Sequence, residues 1–306
     1  VLYTPTSFKR DIITGRYLPS IQNALRELFS ADFSVEVLTE GELDQYQTRE
    51  KPSSFLPGTE EYTFDRFVVG SSNKFAHAAA LAAAEHPGQS YNPLYIYGES
   101  GLGKTHLMYA IAHTIHQEHP DYKIIYVKGE TFTNELIQAI RDSKNQEFRE
   151  KYRSADVFLV DDVQFIAGRA STQEEMFHTF NTLYEQKKQI VLTSDRPPKE
   201  LLRLDDRLKT RFEWGLLADI QPPDYETRMA IIKNKAIRMG VELPAPVLEY
   251  IAENITSSVR QIEGTVNKLL AYQDLMGDAV NKDTVLRAVK DMLNDKTDIL
   301  PTAGVI

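Results

Sequence analysis

The sequence contains no cysteine, so it can form neither a disulfide bond nor a thiolate metal site. A cysteine-free chain suits a reducing compartment, and we expect the protein to be cytoplasmic. Long apolar runs are also missing, because none approaches the ~18 residues that a membrane-spanning helix needs. The first residues do not have the basic, apolar character of a secretory leader, so we expect no such leader.

An excess of positive charge is missing as well. The net charge of −9 argues against a protein that coats duplex DNA by bulk attraction, although it allows a local basic groove. Hydrophobic residues at 42% and charged residues at 26% are typical of a globular protein, and 306 residues suit about two or three domains. The chain starts with Val1 and stops at Ile306 in a loose polar-apolar mixture, so we expect a fragment.

Residues 1–39 predict a small folded block with helix and strand. Apolar residues at Ile21, Leu25, Leu28 and Phe29 follow a helical rhythm, and DFSVEVLTE over 32–40 alternates like a strand. Residues 40–61 are polar, contain two prolines and have no sustained period. They predict a flexible linker.

Between residues 62 and 224, helical stretches alternate with short apolar strands. The predicted strands are PLYIYG, YKIIYVKG, VFLVDD and QIVLTSD, and the predicted helices are AHAAALAAAEH, a helix from Lys104, two stretches over 131–153 and a helix from Thr172. This alternation predicts an α/β core with a parallel sheet covered on both faces. Residues 225–293 predict helices only, without a further strand, and 294–306 form a tail.

The stretch GESGLGKT over 98–105 matches the P-loop pattern in full and lies between a predicted strand and a predicted helix. Its backbone N–H groups and the helix N-terminus suit phosphates, while the lysine suits the β- and γ-phosphates and the threonine a Mg²⁺ ion. A chance glycine turn is the alternative. The predicted nucleotide-binding residues here are Gly98, Ser100, Gly101, Leu102, Gly103, Lys104, Thr105 and His106.

The strand VFLVDD delivers two acids at its carboxyl end. Asp161 is placed to hold the metal ion together with Thr105, and Asp162 is placed to orient the attacking water. Asp162 is shorter than a glutamate, which predicts slow hydrolysis. The alternative is a pair of acids that caps a loop.

Three histidines, His113, His116 and His119, follow one another in HTIHQEH. Their spacing follows a helix face only approximately, and no acidic ligand completes a set. Nucleotide-bound Mg²⁺ is therefore the only metal we expect.

Several longer strings occur together and in one order. They are TFDRFVVGSSNKFAHAAALAAAE, GESGLGKTHLMYAIA, VDDVQFIAG, QEEMFHTFN, LTSDRPPKEL, DRLKTRFEWGL and VRQIEGTVNKL. Together they strongly resemble the bacterial chromosomal replication initiators of the DnaA family, over about residues 62–293 and more weakly over 1–39. The resemblance implies an AAA+ core with a helical lid that binds ATP or ADP and hydrolyses ATP weakly. It also implies ATP-dependent assembly at the replication origin, duplex opening and helicase loading.

The resemblance assigns further residues to the nucleotide. Phe67, Val68 and Val69 would cover the base, and Asn73 would offer it a polar group, although core packing is the alternative for Phe67. Ser194 or Asp195 would be the sensor beside the γ-phosphate, and Asp195 matches the acidic sensor of the family. Arg260 resembles the arginine through which the lid reaches the same nucleotide.

Arg207 and Arg211 lie four residues apart and would share one face of a helix. By resemblance, Arg211 is the arginine finger that reaches the ATP of a neighbouring subunit, and Arg207 supports that interface. A planar, permanently charged guanidinium suits phosphate oxygens. The alternative is a solvated helix end in which the arginines pair with Asp205 or Asp206.

The segment 129–156 resembles the helical insertion of the initiators, which holds single-stranded DNA in the family. Thr133 matches a contact position there, and Arg169 and Thr172 lie in the companion loop. Ser171 stands where many relatives have a basic residue, which weakens the prediction of DNA binding by this loop. Ser171 also begins an S-x-x-E pattern with Glu174 that predicts a capping box.

The resemblance implies several partners: further copies of the chain in a helical oligomer, single-stranded DNA, the replicative helicase and its regulators, and acidic phospholipids. The family reads origin duplex with a C-terminal helix-turn-helix domain, and only NDKTDILPTAGVI follows the last predicted lid helix. We therefore expect that this chain alone does not recognise origin duplex. We also expect that the N-terminal block lacks its first helices.

Two other functions stay open at this point. An AAA+ helicase loader or regulatory relative shares the P-loop, but the N-terminal block and the insertion favour an initiator. A P-loop kinase for small molecules belongs to another class and gives Arg207, Arg211 and Arg260 no natural role.

Overall fold

The structure of the chain is a computed structural model. It describes residues 2–4, 6–21, 24, 35, 37–39, 58–241, 243–276 and 282–294. The chain divides into two compact units, Val1–Glu60 and Glu61–Ile306, which are described separately.

The smaller unit contains a short parallel strand pair and a helix. Strand β1 (Leu2–Tyr3) pairs with β2 (Val37–Leu38), which lies in the stretch predicted as a strand. Helix α1 (Ser7–Ile12) begins after Thr6, whose hydroxyl accepts a hydrogen bond from the N–H of Lys9 at 3.4 Å. It continues as a π-helix over Ile13–Tyr17. Leu25, Leu28 and Phe29 of the predicted helical rhythm, and 40–57 of the predicted linker, lie outside the described residues.

The larger unit is built on a parallel sheet of five strands in the order β4-β5-β6-β3-β7. The strands are β3 (Leu94–Tyr97), β4 (Ile124–Lys128), β5 (Val157–Asp161), β6 (Gln189–Ser194) and β7 (Leu216–Asp219). The helices of this core are α2 (Lys74–Glu85), α3 (Lys104–Glu118), α4 (Gly129–Arg141), α5 (Asn145–Arg153), α6 (Ala170–Glu185) and α7 (Asp206–Phe212). The predicted α/β core is confirmed.

Strands β5 and β6 occupy the middle of the sheet and are buried along their whole length, as expected for strands covered on both faces. Helix α2 packs against the sheet through small buried alanines, which combine strong helix propensity with a close approach. The sequence prediction missed β7, because its four residues between Gly215 and a proline-rich segment are too short to show a period.

In the described part of the lid, the helices are α8 (Tyr225–Arg238), α9 (Ala245–Asn254), α10 (Val259–Met276) and α11 (Lys282–Asn294). This confirms the predicted helical region. They bury a separate apolar core that includes Ile232, Ile251 and Ile262. None of the helices in the described part of the chain is long and apolar enough to span a membrane.

The lid is fastened to the sheet domain by hydrogen bonds at the start of α8. Asp224 accepts the N–H of Thr227 at 2.8 Å and thereby caps the helix, and it also accepts the hydroxyl of Ser71 at 2.6 Å. These bonds hold the pKa of the Asp224 carboxyl low, at about 2, with the bond from Ser71 the largest cause. Arg238, at the far end of α8, donates to the carbonyl of Arg66 at 2.8 Å.

The helices of the insertion are anchored in the core by aromatic rings and by one carboxylate. Phe132 and Tyr152 pack with their ring centroids 4.9 Å apart, and both contact Phe158 of β5. The buried carboxylate of Glu175 on α6 accepts hydrogen bonds from Arg149 and Arg153 of α5, at 3.2 and 2.5 Å. A buried carboxylate with two guanidinium partners fixes α5 against α6.

We predict that Glu175→Gln lowers the free energy of unfolding by about 1–3 kcal/mol, because two guanidinium groups lose their anionic partner in a partly buried position. Chemical denaturation followed by circular dichroism measures this loss. The matched control is Glu147→Gln, which removes an exposed ion pair with Lys144 and should change stability by less than about 0.5 kcal/mol. Equal effects of the two substitutions would contradict the anchoring role.

Candidate nucleotide site

The P-loop joins β3 to α3, and β3 lies between β6 and β7 in the sheet. In open parallel sheets, ligands bind at the carboxyl ends of the strands, where loops from neighbouring strands diverge. The carboxyl ends of β5 and β6 carry Asp161 and Ser194 at this same edge. Strand order therefore brings Asp161 and Asp162 at the end of β5, and Asp195 after β6, to the same edge as the P-loop.

Two glycines of the loop are required by close contacts as well as by conformation. Gly101 and Gly103 have φ values of 81° and 102°. A Cβ atom on Gly101 would lie 2.3 Å from the hydroxyl oxygen of Ser258 in the lid. A Cβ atom on Gly103 would lie 2.9 Å from the ring of Phe67. Only glycine lets the lid and the segment before α2 approach the loop this closely.

Lys104 begins α3 and is only 6% exposed. Its ammonium group donates to the carbonyls of Gly98 and Glu99 at 2.7 and 2.8 Å, within its own loop. Burial lowers the pKa of Lys104, and the nearby charges of Asp162, Asp161 and Asp195 act in the opposite direction. A buried cation with carbonyl partners suits a ligand with several negative charges.

Asp161 is 2% exposed, and its carboxylate accepts hydrogen bonds from three hydroxyl groups. Thr105 of α3 and Tyr126 of β4 each donate to one oxygen at 3.0 Å, and Thr193 of β6 donates to the other. Thr105 and Asp161 thus lie side by side, and their side-chain oxygens are of the hard type that binds Mg²⁺ in P-loop proteins. The two residues fit the ion that the sequence predicted for them.

Asp162 follows in a left-handed conformation with φ 55°. Its N–H donates to the hydroxyl of Thr193 at 2.9 Å, and its carboxylate accepts the side-chain amide of Gln164 at 3.1 Å. The carboxylate does not cap the short helix over Val163–Ile166 that follows. The alternative of a loop-capping pair therefore has no support from this geometry.

Asp195 follows β6, and its charge acts on Lys104 of the P-loop. The half-buried carboxylate is paired with Arg196 at 2.8 Å. Ser194, the other candidate, is fully buried and sits opposite Tyr97 of β3 in the strand register. Of the two, Asp195 is the side chain that can reach a ligand.

The lid reaches the P-loop through the start of α10. The N–H groups of Val259 and Arg260 donate to the carbonyl of Gly101 at 3.0 and 3.3 Å. Arg260 is exposed, and its charge acts to lower the pKa of Lys104. The structure therefore brings Arg260 into the same electrostatic environment as the P-loop lysine.

A cavity of about 110 Å³ lies between the P-loop and the lid. Its lining includes Phe67, Val68, Asn73, Leu102, Gly103 and His106 from the core and Ile231, Lys235, Arg238 and Val259 from the lid. Phe67 and Tyr62 contact the ring of His106 edge to face, both at 5.2 Å, and burial lowers the pKa of His106.

Two residues predicted to contact the base, Val69 and Asn73, are placed differently in the structure. Val69 is exposed and is not part of the cavity lining, whereas its neighbour Val68 is. Asn73 lines the cavity, but its amide donates to the carbonyl of Val68 at 3.0 Å and accepts the N–H of Gly70 at 2.8 Å. Asn73 therefore shapes the segment around Val68 and does not offer an unused polar group.

Arg207 and Arg211 share one face of α7, as predicted, because both guanidinium groups lie over the ring of Phe177, at 4.8 and 5.1 Å. Arg207 pairs with Asp205 at 3.1 Å, which is the pairing that the alternative predicted. The contacts of Arg211 are different in kind. It donates to the side-chain oxygen of Asn181 at 3.0 Å and lies 4.0 Å above the ring of Trp214.

The predicted contacts with single-stranded DNA are corrected in part. Thr133 is 1% exposed and donates to the carbonyl of Gly129 inside α4, because a threonine hydroxyl readily bonds the carbonyl four residues back. Thr172 is 3% exposed, because it faces the core from the first turn of α6. Neither side chain can contact DNA in this conformation, whereas Arg169 is exposed.

The capping box at Ser171 is also wrong. Helix α6 begins at Ala170, so Arg169 occupies the N-cap position and makes no side-chain cap bond. Ser171 lies inside the first turn and is exposed. The apolar rhythm of α6 did not reveal that its first turn starts two residues before Thr172.

Sequence reasoning also missed residues that the fold brings to the site. Tyr126 and Thr193 both donate to Asp161, although they belong to strands on either side of β5. Thr193 stands two residues before the predicted sensor Asp195 in LTSD, and this position could have indicated that Thr193 belongs to the site. Among the described residues, no cluster of three or more histidine, aspartate or glutamate side chains could hold a metal ion.

The parallel sheet carries a P-loop after β3, acids at the ends of β5 and β6, and a helical lid that contacts the loop; together these features define an AAA+ ATPase. A family profile described as bacterial DnaA ATPase domain matches residues 59–219. With the relatives given below, this match shows that the chain belongs to the DnaA family of chromosomal replication initiators.

Two relatives and two solved structures illustrate the similarity. The chromosomal replication initiator protein DnaA of Caldanaerobacter subterraneus subsp. tengcongensis is 51% identical over 304 residues, which cover 97% of this chain and 69% of that protein. DnaA of Thermoanaerobacter pseudethanolicus is 49% identical over the same shares. The crystal structure of domain III of DnaA from Thermotoga maritima matches with a TM-score of 0.74 and 45% identity, over 76% of this chain and 97% of that one.

The second structure is described as replication initiator DnaA bound to AMPPCP and single-stranded DNA. It matches with a TM-score of 0.64 and 34% identity, over 78% of this chain and 83% of that one.

We predict that Lys104→Ala weakens ATP binding by about 10- to 100-fold, because a charge-assisted contact with the phosphates is lost. A titration with a fluorescent ATP analogue measures the affinity. Lys290→Ala removes an exposed lysine on α11 and should bind as the unsubstituted chain does. Undiminished binding by a folded Lys104→Ala protein would remove the basis for the site.

Proposed function

We propose that this chain binds Mg–ATP at the P-loop and hydrolyses it slowly, and that the bound nucleotide controls assembly of the chain with further copies at the replication origin. Opening of the origin duplex and loading of the helicase would follow from that assembly. The observation that carries the proposal is the bond from the first N–H groups of lid helix α10 to the P-loop carbonyl of Gly101. Through this contact, a ligand that rearranges the loop also acts on the lid.

The proposed chemistry assigns one task to each group. The Lys104 ammonium and the loop N–H groups bind phosphate oxygens, and Thr105 and Asp161 hold Mg²⁺, which neutralises charge that develops on the phosphates. Asp162 orients the attacking water. The carboxylate of Asp162 is engaged by Gln164, so its orientation is restricted, and its short side chain is consistent with slow turnover.

Arg260 and Asp195 complete the nucleotide site within one subunit. Both charges act on Lys104, and each comes from a different element, the lid helix α10 and the end of β6. A γ-phosphate would attract Arg260 toward the P-loop. The difference between ATP and ADP would thereby become a difference in lid position.

Arg211 is proposed as the arginine finger. Among the described residues, its guanidinium contacts Asn181, Phe177 and Trp214, and none of these carries a charge that neutralises it. Arg207, in contrast, is paired with Asp205, which raises the pKa of the guanidinium and suits a supporting role. A guanidinium that has no anionic partner and is held in place by aromatic rings can bind the γ-phosphate of ATP on a neighbouring subunit.

We extend single-stranded DNA binding to this chain from the relative whose structure contains it. The exposed Arg169 is the proposed phosphate contact, because Thr133 and Thr172 are buried. A single cation in that loop predicts weak, salt-sensitive binding. Contacts with the helicase, its regulators and acidic phospholipids remain expectations from the family.

A P-loop kinase for small molecules explains fewer of these observations. A kinase would need a site for an acceptor molecule beside the γ-phosphate. It would also give no role to Arg207 and Arg211, which lie over Phe177 and Trp214. Release of phosphate without any acceptor, rising with protein concentration or with DNA, separates an initiator from a kinase.

We predict that Arg211→Ala binds ATP within a few-fold of the unsubstituted affinity but no longer forms ATP-dependent oligomers. Light scattering after size-exclusion chromatography measures the oligomers. Trp214 is the only tryptophan of the chain and contacts Arg211, so its fluorescence should respond to ATP-dependent assembly.

The matched control is Lys209→Ala, which removes another cation of α7 that pairs with Asp206. It should retain the oligomers. Normal ATP-dependent oligomers of Arg211→Ala would refute the finger assignment.

A further inference from the structure

Thr193 is the last but one residue of β6 and is fully buried. The strand register places β5 beside β6, with Val160 opposite Leu192. The next pair along the two strands is therefore Asp161 and Thr193. The Thr193 hydroxyl donates its hydrogen to one oxygen of Asp161, and the hydroxyl oxygen of Thr193 accepts the N–H of Asp162 at 2.9 Å.

We propose that Thr193 is a positioning residue that fixes both acids of the site and joins them to β6, the strand that Asp195 follows. The proposal rests on the proposed hydrolysis of Mg–ATP and adds to it the group that holds the reacting carboxylates in place. One hydroxyl serves as donor to the first acid and as acceptor for the second, which uses its single hydrogen and one lone pair.

The first acid needs such a partner because of its burial. Asp161 takes hydrogen bonds from Thr105, Tyr126 and Thr193, and both of its oxygens are engaged. A Thr105 hydroxyl that ligates Mg²⁺ does so through an oxygen lone pair and keeps its hydrogen for Asp161. Tyr126 and Thr193 are the donors that do not bind the metal; each holds one carboxylate oxygen, and they set the direction in which the remaining lone pairs point.

The second acid, Asp162, needs the Thr193 hydroxyl because its backbone has an unfavourable conformation. Asp162 has a φ of 55°, which residues other than glycine adopt at a cost. The hydroxyl of Thr193 accepts the N–H of this residue and so stabilises the turn that directs its carboxylate. Without that bond, the turn after β5 is free to relax.

Two substitutions test the hydroxyl itself. Thr193→Val keeps the shape of the side chain and removes both hydrogen bonds, whereas Thr193→Ser keeps the hydroxyl. The matched control is Thr179→Val on α6, since Thr179 is also fully buried and its hydroxyl has no hydrogen-bond partner among the described residues.

For Thr193→Val we expect kcat for ATP hydrolysis to fall by about 10- to 100-fold, the range seen when groups that orient metal ligands are removed. The affinity for ATP in saturating Mg²⁺ should stay within a few-fold. The Mg²⁺ concentration that half-saturates the binding of a fluorescent ATP analogue should rise about tenfold. Thr193→Ser should restore most of both losses, and Thr179→Val should match the unsubstituted chain.

Unchanged kcat and unchanged Mg²⁺ dependence of Thr193→Val would overturn the proposal, as would losses of equal size in Thr179→Val. Should Thr193→Val fail to fold in a thermal melt, Thr193→Ala takes the same two measurements, with the same expected and contrary results. An unsubstituted chain that binds no Mg–ATP would instead refute the proposed function, so the two failures are distinguishable.

Discussion

One peptide carbonyl, that of Gly101, belongs to the phosphate-binding loop and also accepts the first N–H groups of lid helix α10. The N–H groups at the start of a helix have no partner within the helix, so they must be satisfied from outside. Here the P-loop supplies that partner, and the close approach requires glycine because a Cβ atom would collide with Ser258. Loop and lid therefore cannot move independently without breaking these bonds.

A second junction is the carboxylate of Asp161. Its three hydroxyl donors come from α3, β4 and β6, so three elements that are distant in sequence meet at one buried charge. Burying a carboxylate is costly unless its hydrogen-bonding capacity is used. The strand ends are thus fixed around the position where a metal ion and a phosphate chain would lie.

How much of this could be predicted depended on how local each signal is. Residues 98–105 specify a P-loop by themselves, and the helices of the lid have clear periods, so both were predicted correctly. Tyr126 and Thr193 were missed because their contacts depend on the order of strands in the sheet, which the local sequence does not contain. Thr133 was misjudged because a family position says nothing about which way a hydroxyl faces, and here it bonds its own helix. The α/β class followed from alternation alone, whereas β7 was too short to be seen.

The coupling between P-loop and lid is the central claim, and the absence of cysteine makes it directly measurable. Glu147→Cys on α5 and Glu253→Cys on α9 introduce two exposed thiols into an otherwise thiol-free chain. Spin labels at these positions report the distance between sheet domain and lid by pulsed electron resonance. The account predicts that Mg–ATP shifts the distance distribution relative to the nucleotide-free chain and that Lys104→Ala abolishes the shift. An unchanged distribution at saturating Mg–ATP would contradict it.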